Sequence, residues 1–369
     1  MQEKIFRKID EIAPQMIESI IELVRIESVK AQGSKEAPFG EGVKRALEKA
    51  LEISASLGFQ TNNMDHYIGY ASYGEGSDYI CAAGHLDVVE AGRGWKYLPF
   101  GGVTENGMIY GRGVLDNKGP IMACLYALYA LKELEIPLKH EIRILFGCDE
   151  ESGFEDMRYY LSREKPPAAG FTPDCKYPVV YGERGRLVTE IRTDSTKQFC
   201  ELMNGYVLNA GRGGETFGIA AEHPEFGKLE IRKTELVQDR PPALRLSVSY
   251  PFGITSEEII EKIREKIPDM SVEPILDFPP VRFERDSSLV RTLQRAYETV
   301  TGEDGTPVTT TGGTYSKILP NIVPFGPSFP GQKGIGHLPD EWMKIEDIII
   351  NAKIYALSLY LLAKEEEGR

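Results

Sequence analysis

The sequence is short of the residues from which several common protein types are built. Its 369 residues include five cysteines: Cys81, Cys124, Cys148, Cys175 and Cys200. They are odd in number, scattered and never spaced Cys-x-x-Cys, which argues against a disulfide framework or a thiolate metal site. They are read as small buried residues. Positive charge is also in deficit, with 43 Lys and Arg against 56 Asp and Glu, a formal net charge of −13. Nucleic acid or an anionic membrane would want a basic face, so neither is expected as a partner. No apolar run reaches membrane-spanning length, and the stretch from Met1 to Phe6 enters a mixed-charge amphipathic helix rather than a signal-peptide core, so a cytoplasmic location is expected.

What is present is an alternation of helix and strand signals. Lys4 to Ile26 and Val43 to Leu57 read as amphipathic helices, the second stopped by Gly58. Strand signals follow at Tyr67 to Ala71 and Tyr79 to Ala83, then a largely apolar helix at Pro120 to Leu134 and a strand at Glu141 to Gly147. Alternation of this kind predicts an α/β layer with its chemistry at strand ends. From about Gly185 the texture changes: Leu187 to Arg192 and Ala243 to Tyr250 alternate like half-exposed strands, and Ser256 to Lys266 reads as a surface helix. The helices Ser287 to Thr301 and Ile345 to Leu362 return to the earlier character, as does the glycine-rich Thr311-Gly312-Gly313-Thr314. The expected organisation is a discontinuous α/β domain, 1–184 and 284–369, with helices on both faces of a mixed sheet, and an inserted α+β domain at 185–283. The chain exceeds what one core usually supports, which agrees with two domains.

The chemistry is concentrated in a few short strings. Gly84-His85-Leu86-Asp87 places an imidazole and a carboxylate two residues apart at a strand end, so both leave on one side and one can steady the other. Asp116, the pair Glu150 and Glu151, and Asp174 sit in similar strand-end or loop contexts, and His337 closes the set. Carboxylates and imidazoles without thiolates suit zinc, manganese or cobalt. Five acids in one cleft would repel one another in a low dielectric, and two divalent cations nearly balance them. Asp116, central in the order, is then the candidate bridge. In such a site a bridging water becomes hydroxide near neutral pH, with a free carboxylate as its general base.

These strings, with Tyr110-Gly111-Arg112-Gly113, Asp116-Asn117-Lys118-Gly119, Asp149-Glu150-Glu151-Ser152-Gly153, Phe171-Thr172-Pro173-Asp174 and Gly312-Gly313-Thr314-Tyr315, resemble the dinuclear zinc exopeptidases of the aminoacylase, carnosinase and carboxypeptidase family. The closer likeness is to the bacterial Xaa-His dipeptidase branch, peptidase V. The resemblance implies a metal-dependent dipeptidase acting on small peptides with a free C-terminal carboxylate, as monomer or homodimer, with two zinc ions per chain that manganese or cobalt can replace. It implies that His85, Asp116 and Asp174 ligate one ion and Asp116, Glu151 and His337 the other. Glu150 is then the general base and Asp87 holds the His85 ring, while a strained or cis peptide precedes Asn117. Gly312, Gly313 and Thr314 are implied as the loop whose backbone meets the substrate carboxylate.

The insert departs from that pattern. In the family it forms a lid carrying a histidine for the oxyanion and an arginine for the carboxylate, and the peptidase V lid is about twice the usual size. Here the insert is short, without a Ser-Ala-His segment, and Ser249-Tyr250-Pro251 stands where the family has Arg-Tyr-Pro. His223 and Arg212 or Arg245 are the candidate replacements, although His223, His66 and His140 sit among polar residues and read as surface. An oxyanion partner lost typically costs about 2.7–4 kcal/mol of barrier. A weakly active or inactive metal-binding relative is therefore the alternative, together with an aminoacylase or carboxypeptidase acting on N-acyl amino acids. Gly111 and Gly113 lack the third glycine or lysine context of a phosphate loop, and Trp95 and Trp342 read as packing residues.

Overall fold

The computed structural model describes residues 1–332 and 334–364. The chain divides into two compact units. The first comprises Met1–Val180, Glu284–Pro307 and the chain from Thr314 onward; the second comprises Tyr181–Phe283 and Val308–Gly313.

The first unit is built on a six-stranded mixed sheet. In spatial order its strands are Gln60–Met64, Ile68–Tyr73, Glu141–Gly147, Tyr79–His85, Ala169–Thr172 and Ile322–Pro324. The last four run parallel, and Ile68–Tyr73 runs antiparallel to Glu141–Gly147. Side chains alternate across a strand, so Gly69, Phe146 and Gly84, which are register partners, share one face. Leu47 and Leu51 of helix Glu41–Ser56 lie against Gly69, and Ile121 of helix Lys118–Glu133 against Gly84. The other face carries Tyr79, Cys81, Ala83 and His85 beside Arg143 and Gly147. Asp156 and Tyr160 of helix Glu155–Leu161 cover it. Helices therefore pack on both faces, as the alternating sequence leads one to expect.

Helix Lys118–Glu133 buries nearly every side chain, which explains its largely apolar character, and helix Ile345–Lys364 is buried mainly from Asn351 onward. Helix Ser288–Thr301 is amphipathic and packs Ala296 against Leu357 and Leu361 of that terminal helix. Among the described residues no helix is long and apolar enough to cross a membrane.

The second unit is an antiparallel sheet in the order Glu230–Val237, Ala243–Tyr250, Gly185–Arg192 and Ser271–Phe278. Helix Ser256–Lys266 starts at a capping box between Thr255 and Glu258. Its Ile259, Ile260 and Ile263 join Leu187, Ile191, Leu244, Leu246 and Val248 in a core of their own. Val308–Gly313 falls in this unit although its glycines look like the first unit's loops, because the Arg184 N–H donates to the Thr310 carbonyl. No disulfide joins the five cysteines; Cys81, Cys124 and Cys148 are buried as expected, but Cys175 is half-buried and Cys200 is exposed.

Candidate metal centre

Five strand-end or loop segments of the first unit converge at one end of the sheet. His85 closes strand Tyr79–His85 on the face of Tyr79, Cys81 and Ala83, and is fully buried. Its Nδ1–H donates to the Asp87 carbonyl at 2.9 Å, with Asp87 Oδ1 at 3.4 Å. That leaves Nε2 facing Asp116 Oδ1 at 3.0 Å and Asp174 Oδ2 at 3.6 Å. The second oxygen of Asp116 lies 3.0 Å from Nε2 of His337, which is also 2.7 Å from Glu151 Oε1. One aspartate thus addresses two histidines, one through each oxygen.

Two groups of donor atoms result: His85, Asp116 and Asp174, and Asp116, Glu151 and His337, with the atoms of each group within 4.8 Å of one another. They share only Asp116. Donor types, separations and the shared carboxylate fit two divalent cations, and neither group includes a cysteine. The other histidines are elsewhere: His66 pairs with Glu48 at 3.3 Å, and His223 packs on Phe226 and Phe252 in the second unit. His223 is half-buried on those rings, as His66 and His140 are in their own places, and none of the three belongs to either donor group.

Several buried groups hold the ligand segments in register. The peptide between Asp116 and Asn117 is cis. Asn117 stands at the N-cap of helix Lys118–Glu133 without capping it. Its side chain instead accepts the His85 N–H at 3.3 Å and donates to the Pro173 carbonyl at 2.6 Å, joining three ligand segments. Asp87 accepts the N–H of Glu150 at 3.2 Å and of Glu151 at 3.1 Å. Asp156 accepts those of Cys148 at 2.6 Å and Asp149 at 3.0 Å, and the Tyr315 hydroxyl. Two buried carboxylates therefore capture four successive N–H groups of residues 148–151.

The electrostatics follow from this crowding. Burial and the Asp174 charge push the Glu150 carboxyl well above its ordinary range, and its side chain has no hydrogen-bond partner among the described residues. Burial raises Glu151 as well, against the His337 hydrogen bond. Burial alone would raise Asp116, but hydrogen bonds from His337 and His85 outweigh it and lower it. Hydrogen bonds to Asp116 and Glu151 lift His337 to about 10. Burial disfavours a charged His85, yet its carboxylate neighbours prevail and raise it. Each imidazole behaves as a cation placed among excess carboxylates, a place a metal ion would fill better.

Three residues of this assembly were not anticipated: Asp156, Tyr315 as its hydroxyl partner, and Glu341. Glu341 is fully buried and binds the loop that ends in Asp116. Its one sequence signal is its place four residues after His337. In the glycine-rich loop, Thr314 caps a short helical turn through the Ser316 N–H. Gly312 and Gly313, in the second unit, line a cavity of about 220 Å³ together with Arg186, Arg232, Ser247 and Ser249. The two arginines considered as replacements are engaged elsewhere, Arg245 with Glu190 at 2.7 Å and Arg212 with Glu230 at 3.7 Å.

Comparison with known proteins finds relatives that are named as dipeptidases. A putative dipeptidase of Bacillus subtilis, YtjP, is 27% identical over 450 aligned positions, covering 95% of this chain and 97% of that protein. A Beta-Ala-Xaa dipeptidase of Lactobacillus delbrueckii subsp. lactis is 26% identical over 465 positions, with the same coverages. Those alignments are longer than this 369-residue chain, so the relatives carry sequence with no counterpart here. The crystal structure of human carnosine dipeptidase 1 superposes with a TM-score of 0.75 at 18% identity, over 98% of this chain and all of that one, a likeness of fold. A family model described as Peptidase family M20/M25/M40 matches residues 81–360, and the chain belongs to that family.

Proposed function

We propose that this chain is a metal-dependent dipeptidase of the Xaa-His, peptidase V-like kind, cleaving dipeptides or short peptides that end in a free carboxylate. The observation that carries the reading is the placement of Asp116, one oxygen toward each histidine. His85, Asp116 and Asp174 would hold one divalent cation and Asp116, Glu151 and His337 the other, zinc in the first instance, with manganese or cobalt as substitutes. Two such ions, when bound, polarise the scissile carbonyl and make water acidic enough to be deprotonated near neutral pH. Glu150 takes that proton and delivers it to the leaving amine nitrogen as the C–N bond breaks. Its raised affinity for a proton and its unpaired carboxylate support the assignment. Asp87 keeps the His85 ring oriented and the Glu150 backbone fixed.

Gly312, Gly313 and Thr314 are proposed to receive the substrate carboxylate. Support comes from the cavity beside the two glycines, where Arg186 has no ion-pair partner among the described residues. A guanidinium and two serines near open glycine backbone suit an anion, in place of the arginine that Ser249 replaces.

A second reading, a weakly active or inactive metal-binding relative, is favoured by the sequence that the curated relatives carry and this chain lacks. Hydrolysis of a dipeptide panel, with N-acyl amino acids and C-terminally amidated dipeptides alongside and with zinc, manganese or cobalt added, decides the matter. Turnover of free dipeptides alone supports the proposal. Turnover of N-acyl amino acids in preference sinks the dipeptidase assignment, and none with any metal favours the second reading.

A further inference from the structure

The loop that presents Asp116 is organised around a single oxygen. Glu341 Oε1 accepts the N–H groups of Gly113 at 3.1 Å, Leu115 at 2.8 Å and Asp116 at 3.0 Å. Its other oxygen accepts from Arg112 Nη1 at 2.7 Å, and its main-chain carbonyl accepts the Gly111 N–H at 2.9 Å. Arg112 is itself fixed, buried and placed 5.2 Å from the centre of the Trp95 ring. A buried carboxylate is costly unless its lone pairs are satisfied, and here five hydrogen bonds tie the residue to residues 111–116.

Two consequences follow from where Glu341 stands. It fixes the backbone nitrogen of Asp116, the residue shared by both donor groups. It also lies four residues beyond His337, a ligand of the second group, so one side chain ties the loop of the shared ligand to the segment of another. An ion pair with Arg112 alone would not require the other oxygen to gather three N–H groups. The neighbouring Asp340 provides a contrast: it accepts the N–H of Lys96 at 2.8 Å and of Tyr97 at 3.1 Å, and touches no ligand loop.

We infer that Glu341 is a positioning residue for the dinuclear site, setting Asp116 at the separation from His337 that the second cation needs. The inference rests on the metal-dependent reading above. In Glu341→Gln a single acceptor oxygen is left for two sets of donors, the three N–H groups and the Arg112 guanidinium, and the amide NH2 must oppose one of them, so the loop's anchor is weakened while shape is kept. Removing such an outer partner typically weakens metal binding by roughly 10–100-fold.

The test is a competitive zinc titration of the full chain against a chromophoric chelator, with circular dichroism and thermal unfolding of the metal-free protein. Wild type and Asp340→Asn are expected to take up two ions alike, while Glu341→Gln weakens uptake of the second ion by roughly 10–100-fold with an unchanged metal-free spectrum. A Glu341→Gln titration matching wild type overturns the inference, whether or not the melting temperature falls. Should that variant not fold, Glu341→Asp, which keeps the charge and draws the acceptor back by one methylene, is titrated instead; wild-type binding by it overturns the inference, as does failure of both variants to fold. A wild-type chain that takes up no pair of ions removes the metal-dependent reading itself, and is recognised because no substitution is involved.

Discussion

Asp87 Oδ1 accepts the backbone N–H of Glu150 at 3.2 Å, so the residue beside the His85 ring also fixes the chain from which the proposed general base projects. The next N–H, of Glu151, goes to the other oxygen of Asp87. Clamping two adjacent backbone groups lets adjacent side chains diverge: Glu151 reaches His337, and Glu150 keeps an unpaired carboxylate. Replacing Glu150 with Gln should lower kcat by roughly 10²–10⁴-fold, the usual contribution of a positioned proton carrier, with metal content unchanged. Glu151→Gln should lower metal occupancy. The reverse pattern in metal analysis would exchange the two roles.

Gly147 is packed against the partner of a buried hydrogen bond. A Cβ there would stand 1.8 Å from the Tyr315 hydroxyl and 2.7 Å from Asp156 Oδ2. Gly147→Ala should therefore cost about 1–3 kcal/mol, as overpacking of a tight interior does. Urea unfolding of the metal-free protein measures it, and an unchanged midpoint would show that Tyr315 can leave without loss.

Burial, with the nearby Asp87 and Asp149 charges, raises the Asp156 carboxyl to about 7, against hydrogen bonds from Tyr315 and the Cys148 N–H. The folded chain then holds a proton there that the unfolded chain releases near the ordinary carboxylate value. Stability from this group is complete below that ordinary value and is lost as pH rises through about 7. Urea midpoints of metal-free wild type, followed from about pH 5 to about pH 8, should fall relative to those of Asp156→Asn. Parallel profiles would mean that Asp156 does not titrate in this range.

In the proposed carboxylate cavity, Arg186→Met should raise KM for a free dipeptide by roughly 10–100-fold, the range of a lost hydrogen bond to a charged group, with a smaller change in kcat. Equal kinetics for variant and wild type would assign the carboxylate to other residues.

The legibility of the sequence followed burial. Strand Tyr79–His85 is buried along its whole length and helix Lys118–Glu133 nearly so, and both were readable because most of their positions are apolar or small. Among the strands that escaped notice, Ala169–Thr172 is a buried interior strand of only four residues, too short to show a period, while Gln60–Met64, Glu230–Val237 and Ser271–Phe278 lie at sheet edges. There solvent relaxes the alternation: Gln60–Met64 is exposed at four of five positions, and Pro274 is tolerated within Ser271–Phe278. Ligand candidates stood out because each lies in a compact string. Asp156 and Glu341 did not, because most of their partners are backbone N–H groups, which leave no trace in residue identity.

The central claim is that Asp116 joins two cation sites. Metal analysis of folded protein loaded with excess zinc and freed of unbound ion tests it most directly, with wild type beside Asp116→Ala. Two ions per wild-type chain and less than one in the variant are predicted, since both donor groups contain Asp116. Fewer than one ion in wild type, or a variant that still binds two, would contradict a bridged dinuclear centre.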